Sequence, residues 1–136
     1  MRESFFRRHR VWLLLAPGGA EHGGCCISAT LRVYGRIGLF ALREGRLRDG
    51  TSMLPDGWMT QSTTPSPANE RYGYLWWLLG DGVYSALGIY GQAITIDPAE
   101  ELVIVTHSAW PQATGREFSR HRSAFFEAVT AAAARE

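Results

Sequence analysis

Lysine is absent from this 136-residue sequence, and all 14 of its basic side chains are arginines. No mechanism that uses a lysine as base or Schiff-base former can be completed within the chain. An excess of charge is also missing: the formal net charge is +1. Neither a nucleic acid nor an anionic membrane is an expected partner on that basis. Cysteine is scarce, and the two present, Cys25 and Cys26, are adjacent. Adjacent cysteines rarely meet the geometry of a disulfide, so no disulfide framework is expected, and the thiols read as small buried side chains. Long hydrophobic runs are lacking as well. Val11–Ala16 follows a basic start but is shorter than the ~7–15 residues of a signal core, and no stretch nears the ~20 of a membrane-spanning helix. A cytoplasmic protein is expected, with export as the other option. Several motifs are missing: no Gly-x-Ser-x-Gly, no His-Glu-x-x-His and no phosphate-binding loop occurs. His9, His22, His107 and His121 have no ligand spacing, so no metal and no cofactor is expected.

The length fits one domain or part of one. Residues 1–10 read as an irregular start and 11–136 as a single unit. Aromatic and β-branched residues concentrate between Tyr72 and Ser108, in runs separated by turn residues. This pattern predicts three antiparallel strands, at 72–79, 83–98 and 102–108. Gly80-Asp81-Gly82 forms the first turn, and Asp97-Pro98 opens the last. Upstream, Ser28 reads as the N-cap of a helix carrying Leu31, Tyr34, Ile37, Gly38 and Phe40-Ala41-Leu42 at helical spacing. Gly35 and Gly38 within it predict close approach of another backbone element. Leu54–Met59 reads as a short helix entered through Pro55, and 61–71 as a surface loop. A last helix is expected from about Glu117 to Ala134, burying Phe118, His121, Phe125, Ala128, Val129 and Ala132. The sum is an α+β fold: an antiparallel sheet packed with one helix from the N-terminal half and one from the C-terminus.

The sequence alone selects no nucleophile. Ser85 has the wrong neighbours for a nucleophile elbow, and His107 and Ser108, adjacent on a strand, point to opposite faces. Gly88-Ile89-Tyr90-Gly91-Gln92 is the more informative segment. Two glycines where a strand begins let a ligand or a second backbone come close. If that strand lay at an edge, its unpaired N–H groups could hold an oxyanion or pair with an extended partner. The alternative is a bend that serves only sheet twist.

The ordered set Glu21-His22-Gly23-Gly24, Ser28–Arg32, Tyr34–Gly38, Leu54–Trp58, Tyr72–Trp77, Gly88–Gln92 and Ile96-Asp97-Pro98 resembles the C-terminal part of a serine hydrolase of the β-lactamase-related superfamily. That superfamily includes class C β-lactamases, the DD-peptidases among penicillin-binding proteins, and the bacterial 6-aminohexanoate-dimer hydrolases, the branch most similar to this chain. The resemblance covers roughly residues 11 to 130. It implies a partial β-lactamase/transpeptidase-like fold and, for the parent family, hydrolysis of a small-molecule amide or ester through an acyl-serine. Family members carry Ser-x-x-Lys; a chain without lysine cannot. The strand bearing Lys-Thr-Gly in β-lactamases is matched by Gly88–Gly91. The resemblance therefore implies that the Ile89 N–H forms half of an oxyanion hole, with Gly88, Tyr90, Gly91 and His22 at the substrate. Tyr90 equally fits a core aromatic, and His22 fits a structural role better. Two readings follow: a C-terminal hydrolase fragment, inactive alone, or a non-catalytic module that pairs through a sheet edge. The expected partner is a separately encoded N-terminal half or a second copy.

Overall fold

A computed structural model describes residues 10–12, 14, 16–20 and 27–135. His22, Cys25 and Cys26, together with the rest of 21–26, lie outside the described residues. The elements run β1 (Arg10–Trp12), β2 (Ile27–Ala29), α1 (Leu31–Leu42), α2 (Trp58–Ser62), β3 (Trp77–Gly80), β4 (Val83–Leu87), β5 (Ala93–Asp97), β6 (Leu102–Thr106) and α3 (Arg116–Ala133). β1 and β2 form a two-stranded antiparallel sheet, and β3-β4-β5-β6 form a four-stranded antiparallel sheet in chain order. The fold is α+β, as the sequence predicts.

The main sheet has four strands from this chain, not three. The run 83–98 folds back on itself: Gly88 N–H donates to Gln92 O at 2.8 Å and Gly91 N–H to Gly88 O at 3.1 Å, closing a hairpin between β4 and β5. Gly91 supplies the reversal with φ +90°, a conformation that few other residues hold at low cost. The segment Gly88–Gln92 thus joins two interior strands, and the edges are β3 and β6. The expected edge strand at Gly88 does not exist.

Alternation divides the sheet into two faces. Tyr84 and Ala86 of β4, Ile94 and Ile96 of β5, and Val103 and Val105 of β6 share one face with Trp76 and Leu78, and Ala41, Leu42 and Tyr34 of α1 pack onto it. Ile96 at its centre is fully buried. Ala93, Ile104, Leu87 and Leu102 face the other way, toward Phe126 and Val129 of α3. Ser85 and Thr95 lie buried on this second face, and their hydroxyls pair at 2.8 Å. Ser85 also donates to Ile94 O at 3.0 Å. No helix among the described residues is long and apolar enough to cross a membrane.

The two helical glycines differ. A Cβ at Gly38 would collide with Val103 Cγ1 and lie 3.0 Å from Ile94 Cγ2, so the helix seats directly on β5 and β6; a Cβ at Gly35 would meet nothing within 4 Å. Ser28 is not the N-cap. It belongs to β2, and Thr30 is the cap residue, in extended backbone. The short helix begins at Trp58, three residues beyond Pro55, because Gly57 turns the chain through φ +74°. In α3 the buried face is rotated by one position: Phe126 is 9% exposed while Phe125 is 51% exposed, and His121 is exposed. The inward row runs Phe118, Arg122, Phe126, Val129, and the guanidinium of Arg122 lies 5.2 Å from the Trp110 ring centre. A charged residue inside the stripe misleads a reading based on hydrophobic spacing, but a long stem under an indole satisfies both needs.

Gly38→Ala is expected to destabilise the protein by about 1–3 kcal/mol through overpacking. Gly35→Ala is expected to stabilise it by up to ~1 kcal/mol through helix propensity. Urea unfolding of both variants measures the pair. The Tyr84 phenol is pushed up to about 12 by burial and, second, by the Glu44 carboxylate. A raised folded-state value means that stability is complete below the unfolded value near 10 and is lost as pH rises toward 12. Stability should therefore fall as pH rises through that window, and Tyr84→Phe should flatten the loss.

Candidate functional site

An open cleft of about 640 Å³ lies at the β4–β5 turn. Its walls include Gly88, Ile89 and Gln92 of the turn, Ala86, Ile94 and Val105 of the sheet, Tyr34 of α1, Ile27 of β2, and Tyr72, Leu75 and Trp77 before and on β3. Local chemistry builds each wall. Gln92 folds its side chain back over Gly88, where any Cβ would collide with it, and its Oε1 accepts the Tyr90 N–H at 3.2 Å. Leu75 is held at φ +69° at the cleft mouth, 73% exposed. That left-handed conformation costs ~1–2 kcal/mol for a non-glycine residue. It is held by the tight turn in which Gly73 N–H donates to Trp76 O at 2.9 Å. Tyr72 and Trp77 meet edge to face at 4.9 Å.

Ile89 stands 60% exposed at the apex. Its carbonyl accepts the Thr114 N–H at 2.7 Å, and the Tyr90 carbonyl accepts the Trp110 N–H at 3.1 Å. No acceptor among the described residues takes the Ile89 N–H. The loop 108–115 therefore straps the turn from outside, and Trp110 packs so closely on Gly91 that a Cβ there would enter the indole. The Gly88–Ile89 peptide, which carries the available N–H, is held through its own carbonyl, the acceptor of the Gly91 N–H at 3.1 Å. A donor held in this way needs no reorganisation when charge appears on an acceptor.

The sequence-derived site residues separate. Gly88 and Ile89 line the cleft; Gly91 lies behind them as the reversal point, and Tyr90 is exposed beside the turn, neither a cleft wall nor a core aromatic. His22 lies outside the described residues. Trp76 packs on the core and Trp77 lines the cleft, as strand alternation divides such a pair. Tyr34, Tyr72, Leu75 and Gln92 carry no motif; the signal for Gln92 is its position, four residues past a glycine that must clear its side chain. Tyr34 is not a base: its hydroxyl donates to Ile27 O at 2.6 Å, and burial raises its pKa. The His107 ring meets the Tyr34 ring edge-on at 5.2 Å and is exposed. The described lining holds no serine, cysteine, histidine or carboxylate. Ser85 has its hydroxyl engaged inside the sheet, away from solvent. Among the described residues no group of three His, Cys, Asp or Glu is placed to hold a metal.

The chain belongs to one class of enzymes by descent, the β-lactamase-like serine hydrolases. The particular relatives are 6-aminohexanoate-dimer hydrolases. The enzyme of that name from Paenarthrobacter ureafaciens is 31% identical over 115 residues, covering 74% of this chain and 29% of that protein. The solved structure named "Putative 6-aminohexanoate-dimer hydrolase" from Bacillus anthracis superposes with a TM-score of 0.65 at 25% identity, covering 77% of this chain and 29% of that one. The chain thus spans less than a third of the length of either relative. No protein-family model matches it.

Gly91→Ala is expected to destabilise the protein by about 2–4 kcal/mol, from the positive φ and the collision with Trp110 together. Gly50→Ala has the same sign of φ (+86°) but open space, so it should cost only ~1 kcal/mol. Denaturant midpoints for the two variants separate backbone strain from the indole contact.

Proposed function

We propose that this chain is the C-terminal portion of a β-lactamase-like serine hydrolase, contributing half of an oxyanion hole and no attacking group, and that it is inert alone. The observation that carries the reading is the Ile89 N–H, without an acceptor among the described residues, at a cleft whose described walls hold no serine, cysteine, histidine or carboxylate. In the parent reaction a serine hydroxyl attacks the carbonyl carbon of a small amide or ester. The resulting oxyanion accepts hydrogen bonds from Ile89 N–H and a second donor, the amine or alcohol leaves, and water releases the acyl group. Gly88 and Gly91 shape the turn that presents the donor. His22, from the segment before β2, is a further proposed substrate contact, and Tyr90, which is not a cleft wall, is proposed to reach the substrate from beside the turn. The name of the relatives suggests a linear amide of the 6-aminohexanoate type as the parent substrate. Ser-x-x-Lys would come from an N-terminal half outside this sequence, in the cytoplasm.

A second reading, a non-catalytic interaction module, is favoured by the large apolar side chains left exposed, among them Leu31, Ile37, Leu39, Leu75 and Leu79. Surface of this kind marks sites of association.

Incubation of the purified chain with a fluorophosphonate probe and a nitrophenyl ester tests the proposal. Neither stoichiometric serine labelling nor turnover is expected. Labelling of Ser28, Ser85 or Ser108 with turnover would overturn it. Co-expression with an upstream Ser-x-x-Lys segment should restore hydrolysis, and Ile89→Pro, which deletes the N–H, should then lower kcat by ~10²–10³-fold.

A further inference from the structure

The apex of the β4–β5 hairpin is a type I turn closed by a left-handed glycine. Gly91 N–H donates to Gly88 O at 3.1 Å, Gly91 sits at φ +90°, and neither Ile89 nor Tyr90 has a positive φ. A type II turn over the same residues differs by one event. The central peptide, Ile89 C=O with Tyr90 N–H, flips over and puts Tyr90 at positive φ. In the observed form the N–H groups of Ile89 and Tyr90 point to the same side, the arrangement that makes a concavity for an anion. A flip would put the Ile89 carbonyl oxygen on that side, next to the Ile89 N–H, where it would repel a developing oxyanion.

Two groups hold this central peptide, one at each end. Its carbonyl accepts the Thr114 N–H at 2.7 Å, and its N–H donates to Gln92 Oε1 at 3.2 Å. Gly88 leaves the room that Gln92 needs, since a Cβ there would collide with Gln92 Oε1. Thr114 stands at φ +59°, a conformation that β-branched residues rarely adopt. Strain of that kind persists only where the surroundings impose it. Here it falls at the residue whose N–H seals the turn, directly before Gly115, the N-cap of α3. We propose that Gln92, through its side chain, and Thr114, through its backbone, are positioning residues: together they bar the flip of the Ile89–Tyr90 peptide and keep a carbonyl oxygen out of the oxyanion site. The catalytic consequence rests on the hydrolase reading, whereas the bar itself is made by contacts within this chain.

Nuclear Overhauser spectra of the isotope-labelled full chain distinguish the two turns. A type I turn brings the amide protons of positions 89 and 90 together, whereas a type II turn brings the amide proton of position 90 against the Ile89 α proton. A Tyr90→Gly background makes the test sensitive, because glycine removes the cost of positive φ in the flipped form. Tyr90→Gly alone should keep the type I pattern. Adding Gln92→Met, similar in length but without the acceptor, should raise the type II population about two- to tenfold, the effect of one hydrogen bond. Adding Gln92→Glu instead, which supplies an acceptor again, should return the type I pattern, a rescue that a general loss of packing cannot give. Co-expressed with the Ser-x-x-Lys segment, Gln92→Met in the same background should lower kcat and leave KM unchanged. A turn pattern indifferent to Gln92→Met, or no rescue by Gln92→Glu, would overturn the bar whatever the catalysis. A shifted turn with unaltered kcat would overturn its role in positioning. Absence of hydrolysis with the unsubstituted chain would overturn the hydrolase reading and that role together, and the turn patterns would still decide whether Gln92 bars the flip.

Discussion

The reversal of the chain at Gly88–Gln92 is the constraint on which the rest depends. β4 and β5 are interior strands, so their register decides whether Tyr84, Ala86, Ile94 and Ile96 reach the same face, and a slip of one residue would send each of them to the other side. The turn sets that register with two backbone hydrogen bonds and a glycine at positive φ. The same geometry leaves the Ile89 N–H without a partner in the ladder. Folding and candidate chemistry thus meet in five residues: the bend that aligns the core also exposes the donor.

Much of the architecture was legible beforehand because it rests on local signals. Gly80-Asp81-Gly82 and Asp97-Pro98 mark their turns directly, and in the second the Asp97 carboxylate accepts the N–H groups of Ala99 and Glu100 at 3.1 and 3.2 Å. The C-terminal helix begins one residue before Glu117 and ends one before Ala134. The misreadings share a cause: tertiary contact decided between local options of similar strength. Phe125 and Phe126 are adjacent, and only the position of the sheet chooses between them. Gly35 and Gly38 look equivalent until β6 is found under one of them. The run 83–98 is uniformly strand-like by propensity, and the hairpin within it is visible only as a pair of glycines three residues apart.

The candidate site divides along the same line. Gly88 and Ile89 were recoverable because a glycine-bounded motif is local. Tyr34, Tyr72 and Trp77 were not, since the cleft brings α1 together with β3 and the loop before it, parts of the chain remote in sequence. The absence of lysine excluded one half of the family's usual chemistry, while the fate of the serines needed coordinates. Ser85 proves to be a structural hydroxyl, tied to Thr95 and Ile94 O inside the sheet.

The contact between Trp110 and Arg122 couples distant parts of the chain. Trp110 touches Gly91 on one side, while Phe118 and Arg122 of the last helix approach it at 5.4 and 5.2 Å. The final helix therefore serves as ballast for the apex of the hairpin, about thirty residues upstream. A nonsense codon between Trp110 and Phe118 would leave that indole unsupported, and damage at the far terminus would be registered at the hairpin apex.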